Sequence, residues 1–259
     1  MKKPKVSIIM PVYNSEKFLE DSIKSILNQN LKEFEFIIVD DKSTDNSIKI
    51  INKYKKEDKR IILMKNKKNL GQAYSRNKGL KKARGKYVAI LDSDDLATKK
   101  RLEIQFNYLE KKSHIFLIGS SAIYIDEKGR EIKKFRKYDN YKMIAWRLPK
   151  SCGIIHSSIM FRNTQEFQYN SKFRIANEYD LYLSILEAGK NLTNLPQFLV
   201  KYRVHSSSIS CAQKEDQQEN TNKIRATHPN LNIQLNFRTK IKYFFKLGFF
   251  YLRTYLEKR

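Results

Sequence analysis

The sequence predicts an α/β fold, a mostly parallel central sheet with helices on both faces. Three observations carry this. Short apolar runs rich in β-branched residues alternate four times with segments of helical period. The runs are apolar throughout rather than every second residue, as in strands covered on both faces. Each run also leads into a polar stretch, PVYN, DDKSTD, NKKNLG or DSDD. In a parallel sheet these four stretches share one edge, beyond the carboxyl ends of the strands, where such sheets bind ligands.

The elements follow in order. Val6–Met10 (VSIIM) reads as a buried strand. Phe18, Leu19, Ser22, Ile23, Ile26 and Leu27 recur at spacings of three and four and predict an amphipathic helix, with Ser15 as N-cap. Phe34–Val39 is the second strand and ends on Asp40-Asp41, where Asp40 is expected to form an Asx turn. A helix is predicted from about Asp45 to Lys56, with Ile48, Ile51 and Tyr54 inward. Arg60–Met64 is the third strand, and Gln72–Ala83 a helix closed by Gly85. Tyr87–Leu91 is the fourth strand and delivers Asp92, Asp94 and Asp95. Asp95 is expected to cap a helix beginning near Leu96.

The second half is less regular. Strands are predicted at Ile115–Ile125 and Ile132–Phe135 around the turn 126–129, then at Ile154–Phe161 and Phe198–Tyr202. A helix spans Glu178–Gly189, and 206–230 reads as loop or irregular helix. The expected organisation is a nucleotide-sugar half at 1–112, an acceptor half of the same domain at 113–210, and a basic, aromatic helical extension at 211–259.

Composition sets outer bounds. Of 259 residues 41% are hydrophobic, enough for a core. Cys152 and Cys211 stand far apart without metal-spaced partners, which argues against a disulfide framework or a zinc site and suits a reducing compartment. The opening apolar run is broken by Pro11 and is too short for a signal sequence. No run reaches the ~18 apolar residues of a membrane span. Lys and Arg number 52 against 27 Asp and Glu, a net charge of +25. That favours acidic partners, or reflects lysine as a default surface residue; charge alone does not choose.

Against this background the acidic strand ends call for an explanation. Carboxylates at neighbouring strand ends repel one another unless a cation sits between them. Mg²⁺ or Mn²⁺ prefers such oxygens and bridges protein to phosphate.

PVYN at Pro11–Asn14, VDD at Val39–Asp41, NLGQAYSRNKG at Asn69–Gly79 and LDSDD at Leu91–Asp95 resemble the family 2 glycosyltransferases of GT-A fold. The resemblance is strong over roughly the first 110 residues and continues through HSSIMFR (156–162), NEYDLYL (177–183) and YRVHSSSIS (202–210). It implies inverting transfer of a sugar from a nucleotide-diphosphate sugar, a UDP-sugar first, to a glycan or lipid-linked acceptor in cell-surface polysaccharide synthesis. It further implies that Asp41 meets the nucleobase, that Asn69 and Gly71 contact the donor, and that Arg76 binds it too. Asp92 would lie near the ribose and metal, with Asp94 as chief ligand of Mn²⁺ or Mg²⁺ and His205 joining the metal or diphosphate. The base position falls on Glu178, with Asp180 as fallback. Two residues rotate a helix by about 200°, which disfavours Asp180.

Two histidine and tryptophan readings stay open: His156 is a core histidine or lines the acceptor side, and Trp146 is core or a sugar platform. The segment 237–259 predicts a helix for an anionic leaflet, or one packed on protein. The expected location is cytoplasmic, with peripheral attachment to the inner face of the plasma membrane. Two rivals remain. A sugar-nucleotide nucleotidyltransferase would also gather carboxylates and metal, but no Gly-rich GxGTR-like loop follows the first strand. A basic nucleic-acid binder would use the charge, yet leaves the acidic strand ends unexplained, so no nucleic-acid partner is expected.

Overall fold

The computed structural model describes residues 3–136, 140–206 and 214–231. Four strands build the parallel half: β1 (Val6–Val12), β2 (Phe34–Asp40), β3 (Ile61–Lys65) and β4 (Tyr87–Ile90). The helices α1 (Glu16–Leu27), α2 (Ser47–Glu57) and α3 (Gln72–Lys82) connect them. The chain continues through β5 (Leu96–Ala97), α4 (Arg101–Lys111), β6 (Ile115–Ile125), β7 (Glu131–Phe135) and α5 (Tyr141–Arg147). It closes with β8 (Met160–Arg162), α6 (Asn177–Glu187), β9 (Asn191–Arg203) and α7 (Lys214–Ala226).

One sheet runs in the order β3-β2-β1-β4-β8-β6-β9-β5, with β7 paired to β6. β1 pairs in parallel with β2 and β4, and β2 with β3. β8 runs antiparallel between β4 and β6, and β6 and β9 are parallel again. The two expected halves thus share a sheet across the β4–β8 seam.

The unbroken apolar runs have the predicted cause. Along β1, Val6, Ile8, Met10 and Val12 pack with α1, α2 and α4 on one face, while Ile9 enters the core under α3 and α6. Residues of β2 and β4 alternate in the same way, as the two-residue pleat requires.

Several boundaries differ from expectation. No helix begins near Leu96. Leu96 and Ala97 pair with Lys201 and Val200, which holds that backbone extended until α4 starts at Arg101. Asp95 is therefore no helix cap; its Oδ1 accepts the Arg203 N–H at 2.8 Å. Ser15 does not cap α1 either, because its Oγ is engaged with Tyr13 O and Ser93 Oγ. Ile154–Phe161 is only partly strand. His156–Ser158 form a 3₁₀ turn in which Ser158 Oγ bonds the Ile155 carbonyl, and β8 follows. The short strand expected at Phe198–Tyr202 is the end of the 13-residue β9, whose polar first half is carried by pairing with β6. Part of the polar stretch 206–230 is the helix α7. Cys211 and the segment 237–259 lie outside the described residues. No described helix is long and apolar enough to cross a membrane.

Candidate active site

The strand-end loops are locked to one another by their own polar side chains. Asn14, with φ +47°, accepts the Thr44 N–H on Oδ1 at 2.8 Å and donates its own N–H to Ser43 Oγ. The first turns of α1 and α2 satisfy each other: the Glu16 N–H donates to Asp45 Oδ2, and the Asn46 N–H donates to Glu16 Oε2. Free helix N–H groups are thus filled across the gap between two helices rather than by a local cap. As expected, Asp40 receives the Ser43 N–H in a turn, at 3.3 Å.

Asp41 is 4% exposed and organises the next loop. Its Oδ1 accepts from Asn66 Nδ2 at 2.7 Å and from the Leu70 N–H at 2.9 Å, and its Oδ2 accepts from the Gly71 N–H at 2.7 Å. Gly71 precedes α3 at φ +85°, a conformation open to glycine. Asn69 stands exposed on this loop. The Asp41 N–H bonds the Val12 carbonyl, which sets Asp41 beside the end of β1. Tyr13, which follows Val12, and Leu70, whose N–H bonds Asp41, both carry exposed side chains. Sequence reasoning assigned Tyr13 no part, although an aromatic residue in a polar strand-end motif is a usable signal.

The centre of the cleft joins α3, β4, the 156–158 turn and α6. Arg76 is 2% exposed and donates from Nη2 to Asp92 Oδ1 at 2.7 Å and from Nη1 to Asn177 Oδ1 at 3.1 Å. Its buried Nε has no hydrogen-bond partner among the described residues. Ser157 Oγ donates to Asp92 Oδ2 at 3.1 Å. Burial pushes the Asp92 carboxyl up, but the Arg76 and His156 neighbours and these hydrogen bonds outweigh it, so the group stays below the usual carboxylate range. Arg76 remains charged, since Asp92 and Glu178 overcome its burial. Glu178 is the second residue of α6, which follows Ala176, whose φ of +61° is a strained turn for a residue with a Cβ. Burial raises the Glu178 carboxyl, Arg76 partly opposes the rise, and Asp92 adds to it.

His156 is hydrogen-bonded between two buried tyrosines. Its Nδ1 lies 2.7 Å from Tyr182 Oη and its Nε2 3.2 Å from Tyr169 Oη. Burial and the Arg76 charge drop its pKa to about 3, so the ring is neutral and holds two tyrosine hydroxyls against the Arg76–Asp92 pair. Asp180 does not join this group. It faces His228, with Oδ1 3.4 Å from Nε2, on the side of α6 toward α7. Trp146 is half-buried on α5, with Lys150 Nζ 4.3 Å from its ring centroid.

Asp94 and His205, 111 residues apart in sequence, meet at 2.9 Å between Oδ2 and Nε2. Arg203 sets that meeting. Its Nε donates to the Asp94 carbonyl, its Nη1 to the carbonyls of Asp126 and Glu127, and its guanidinium lies 4.6 Å from the Phe18 ring centroid. Sequence reasoning missed Arg203; an arginine two residues before a candidate ligand at a strand end is the signal that pointed to it. Asp95 shares the clamp. Burial, then the charges of Asp94 and Asp92, raise its carboxyl well above the usual range.

The Asp94–His205 pair suits a divalent cation. It offers one hard oxygen and one imidazole nitrogen, 2.9 Å apart. Neighbouring octahedral ligands at about 2.1 Å lie roughly 3 Å apart. Among the described residues no group of three His, Cys, Asp or Glu side chains is arranged to hold a metal. A cation here therefore needs oxygens from a ligand such as a diphosphate.

Comparison with known proteins bears on the family and the fold. Residues 7–165 match the family model described as glycosyl transferase family 2. An uncharacterised glycosyltransferase of Methanocaldococcus jannaschii is 41% identical over 210 residues, 79% of this chain and 72% of that one. The Bacillus subtilis glycosyltransferase TuaG, named for teichuronic acid biosynthesis, is 34% identical over 80% of this chain and 82% of its own. TarS of S. aureus in complex with UDP superposes with a TM-score of 0.69 at 21% identity, over 91% of this chain and 68% of that one. The Pyrobaculum calidifontis mannosyltransferase PcManGT, solved with GDP-Man and Mn²⁺, gives 0.62 at 18% identity over 80% and 59%.

Proposed function

The chain belongs to glycosyltransferase family 2 and is an enzyme of that type with the GT-A fold, and from this premise we propose that it transfers a sugar with inversion from a UDP-sugar to a hydroxyl of a glycan or lipid-linked acceptor in cell-surface polysaccharide synthesis. The observation that carries the proposal is the single cleft edge holding Arg76, Asp92 and Glu178 together with the Asp94–His205 pair.

In this reading the exposed Tyr13 offers a ring face to the nucleobase. Asp41, with acceptor capacity left on Oδ2, takes the uracil N–H, and its loop presents Asn69 to the donor. Asp92 accepts from the ribose while Arg76 holds it ionised. Mn²⁺ or Mg²⁺, held by Asp94 and His205 with diphosphate oxygens, would neutralise charge on the departing nucleotide, so no protein acid is needed there. Glu178 takes the proton of the acceptor hydroxyl as it attacks the far face of the anomeric carbon. Its raised pKa suits that task, because a base is most effective with a pKa near the working pH. We place the reaction at the inner face of the plasma membrane, with 237–259 supplying basic, aromatic attachment.

The test is a panel of UDP-, GDP- and dTDP-sugars with Mn²⁺ or Mg²⁺, read as free nucleotide diphosphate released. Metal-dependent UDP release supports the proposal. Pyrophosphate release would assign a nucleotidyltransferase instead. Absence of any sugar-nucleotide affinity in calorimetry with either metal overturns the reading.

A further inference from the structure

Beyond the cleft, the outer end of the sheet carries an unusual face. β7 is exposed along its whole length and pairs with β6, which pairs on its other side with β9. Register puts Phe135 opposite Ala122 and Lys133 opposite Tyr124; across β6, Ala122 lies opposite Val200 and Tyr124 opposite Tyr202. Paired residues share a face, so these side chains lie on one side of a three-stranded surface. Phe198 pairs with Ser121 at a register shift just before Val200, and its ring lies beside Arg136 at the end of β7.

The rings form a connected array rather than scattered surface aromatics. Tyr124 lies 5.1 Å from Tyr202 and 5.6 Å, edge-on, from Phe135 between centroids. Lys133 Nζ sits 5.0 Å from the Tyr124 centroid, and the Arg136 guanidinium 5.4 Å from that of Phe198. Nearby carboxylates are already matched: Glu131 with Lys134 at 3.7 Å, Asp126 with Arg130 at 2.7 Å, and Glu127 with Lys17.

The face runs into the cleft. Ile155 packs on Ala122 and Val200 and immediately precedes His156. At the upper end, Tyr202 adjoins Arg203, which is bonded to Asp94 and Asp95. Burial, with the Asp95 charge, raises the Tyr124 phenol, consistent with its nearness to the acidic loop.

We propose that Tyr124, Phe135, Phe198 and Tyr202, with Lys133 and Arg136, form the track along which the acceptor lies, and that the acceptor is a polyanionic glycan. Ring faces suit the C–H surface of pyranoses, and the two cations stand where carboxylates or phosphates along a chain would pass. This choice of substrate class rests on the transferase reading above.

The probes are oligogalacturonate, a neutral maltodextrin of equal length, and inorganic polyphosphate, with affinity measured at fixed low salt. Wild type is expected to hold oligogalacturonate at least about tenfold more tightly than maltodextrin. K133E and R136E should each weaken that binding by about tenfold. F135A should weaken oligogalacturonate but leave polyphosphate unchanged. Charge reversals K55E and K56E on the exposed side of α2 change net charge equally and should leave oligogalacturonate binding intact. UDP-sugar hydrolysis without acceptor should be unchanged in all five variants. Equal affinity for the neutral chain, or equal losses from K55E and K133E, would overturn the track and assign the attraction to overall charge. An intact F135A would likewise overturn it. If wild type hydrolyses no sugar nucleotide, the transferase reading fails instead, whatever the oligosaccharide binding shows.

Discussion

Replacing Glu178 by Gln tests the assignment of the base most directly. Gln keeps the length and shape of the side chain at the first turn of α6 and removes only the ability to accept a proton. General-base catalysis contributes about 10²–10⁴-fold, which is roughly 2.7–5.5 kcal/mol of barrier. Transfer should therefore slow by that factor, while donor affinity by calorimetry stays within about threefold, since Asp41, Arg76 and Asp92 are untouched. The pH profile adds an independent reading. Burial first, and Asp92 with it, raise the Glu178 carboxyl against the opposing Arg76 charge. The base works only when ionised, so kcat should rise with pH along a limb displaced above the ordinary carboxylate range, and Gln should abolish that limb. Stability moves the other way. A carboxyl whose folded pKa is raised lowers native stability once pH exceeds its unfolded value, as its ionised form is then favoured by unfolding. E178Q should therefore match or exceed the wild-type urea midpoint at pH 7. Transfer within threefold of wild type, or a retained acid limb in E178Q, would refute Glu178 as the base.

Three further outcomes follow from the same geometry. D41A strips the partner from the buried Asn66 amide and from the Leu70 and Gly71 N–H groups; urea denaturation should show a loss of about 1.5–3 kcal/mol, and UDP affinity should fall with it. D94A should weaken Mn²⁺-dependent UDP binding at least tenfold and leave metal-free UDP binding unchanged, as titration calorimetry with and without chelator would show. G85A would bring a Cβ to 2.5 Å from Ser7 N and 2.7 Å from Val6 C, both backbone atoms that cannot swing aside. It should lower stability by about 1–3 kcal/mol without altering kcat of the folded fraction, measured by denaturation and active-site titration.

The parallel half was legible because local pattern and burial agree there. VSIIM, FEFIIV and YVAIL are apolar on both faces, the first two feed helices of clear period, and the three strands pair in parallel through β1. Legibility failed where pairing, not propensity, sets the backbone. Asn191–Gln197 carries Asn, Thr, Pro and Gln, yet is strand because β6 offers it a parallel ladder. Leu96-Ala97 looked like a helix start and is strand because β9 lies against it. The expected local caps failed for the same reason: Asp95 is engaged by Arg203, 108 residues away, and Ser15 by Ser93, 78 residues away.

The site shows the same division at finer grain. Asp92 and Asp94 stood out as carboxylates gathered at one strand end in a chain of net charge +25, and the family resemblance singled out Glu178 and His205. Residues that act by reach did not. Arg203 is one of 52 cations in the sequence, and its place two residues before His205 does not say that it ties the Asp94 loop to the Asp126–Glu127 turn. Among the described cations, burial separates Arg76, Arg101 and Arg203, each at 2% exposure or less. A guanidinium with a fixed fork of donors can hold several carbonyls or a carboxylate together where an ammonium cannot. Arg76 and Arg203 accordingly fix the acidic edge, by bonds to Asp92 and to Asp94 and Asp95, while Arg101 ties the carbonyls of Ile90 and Ile159 beneath it.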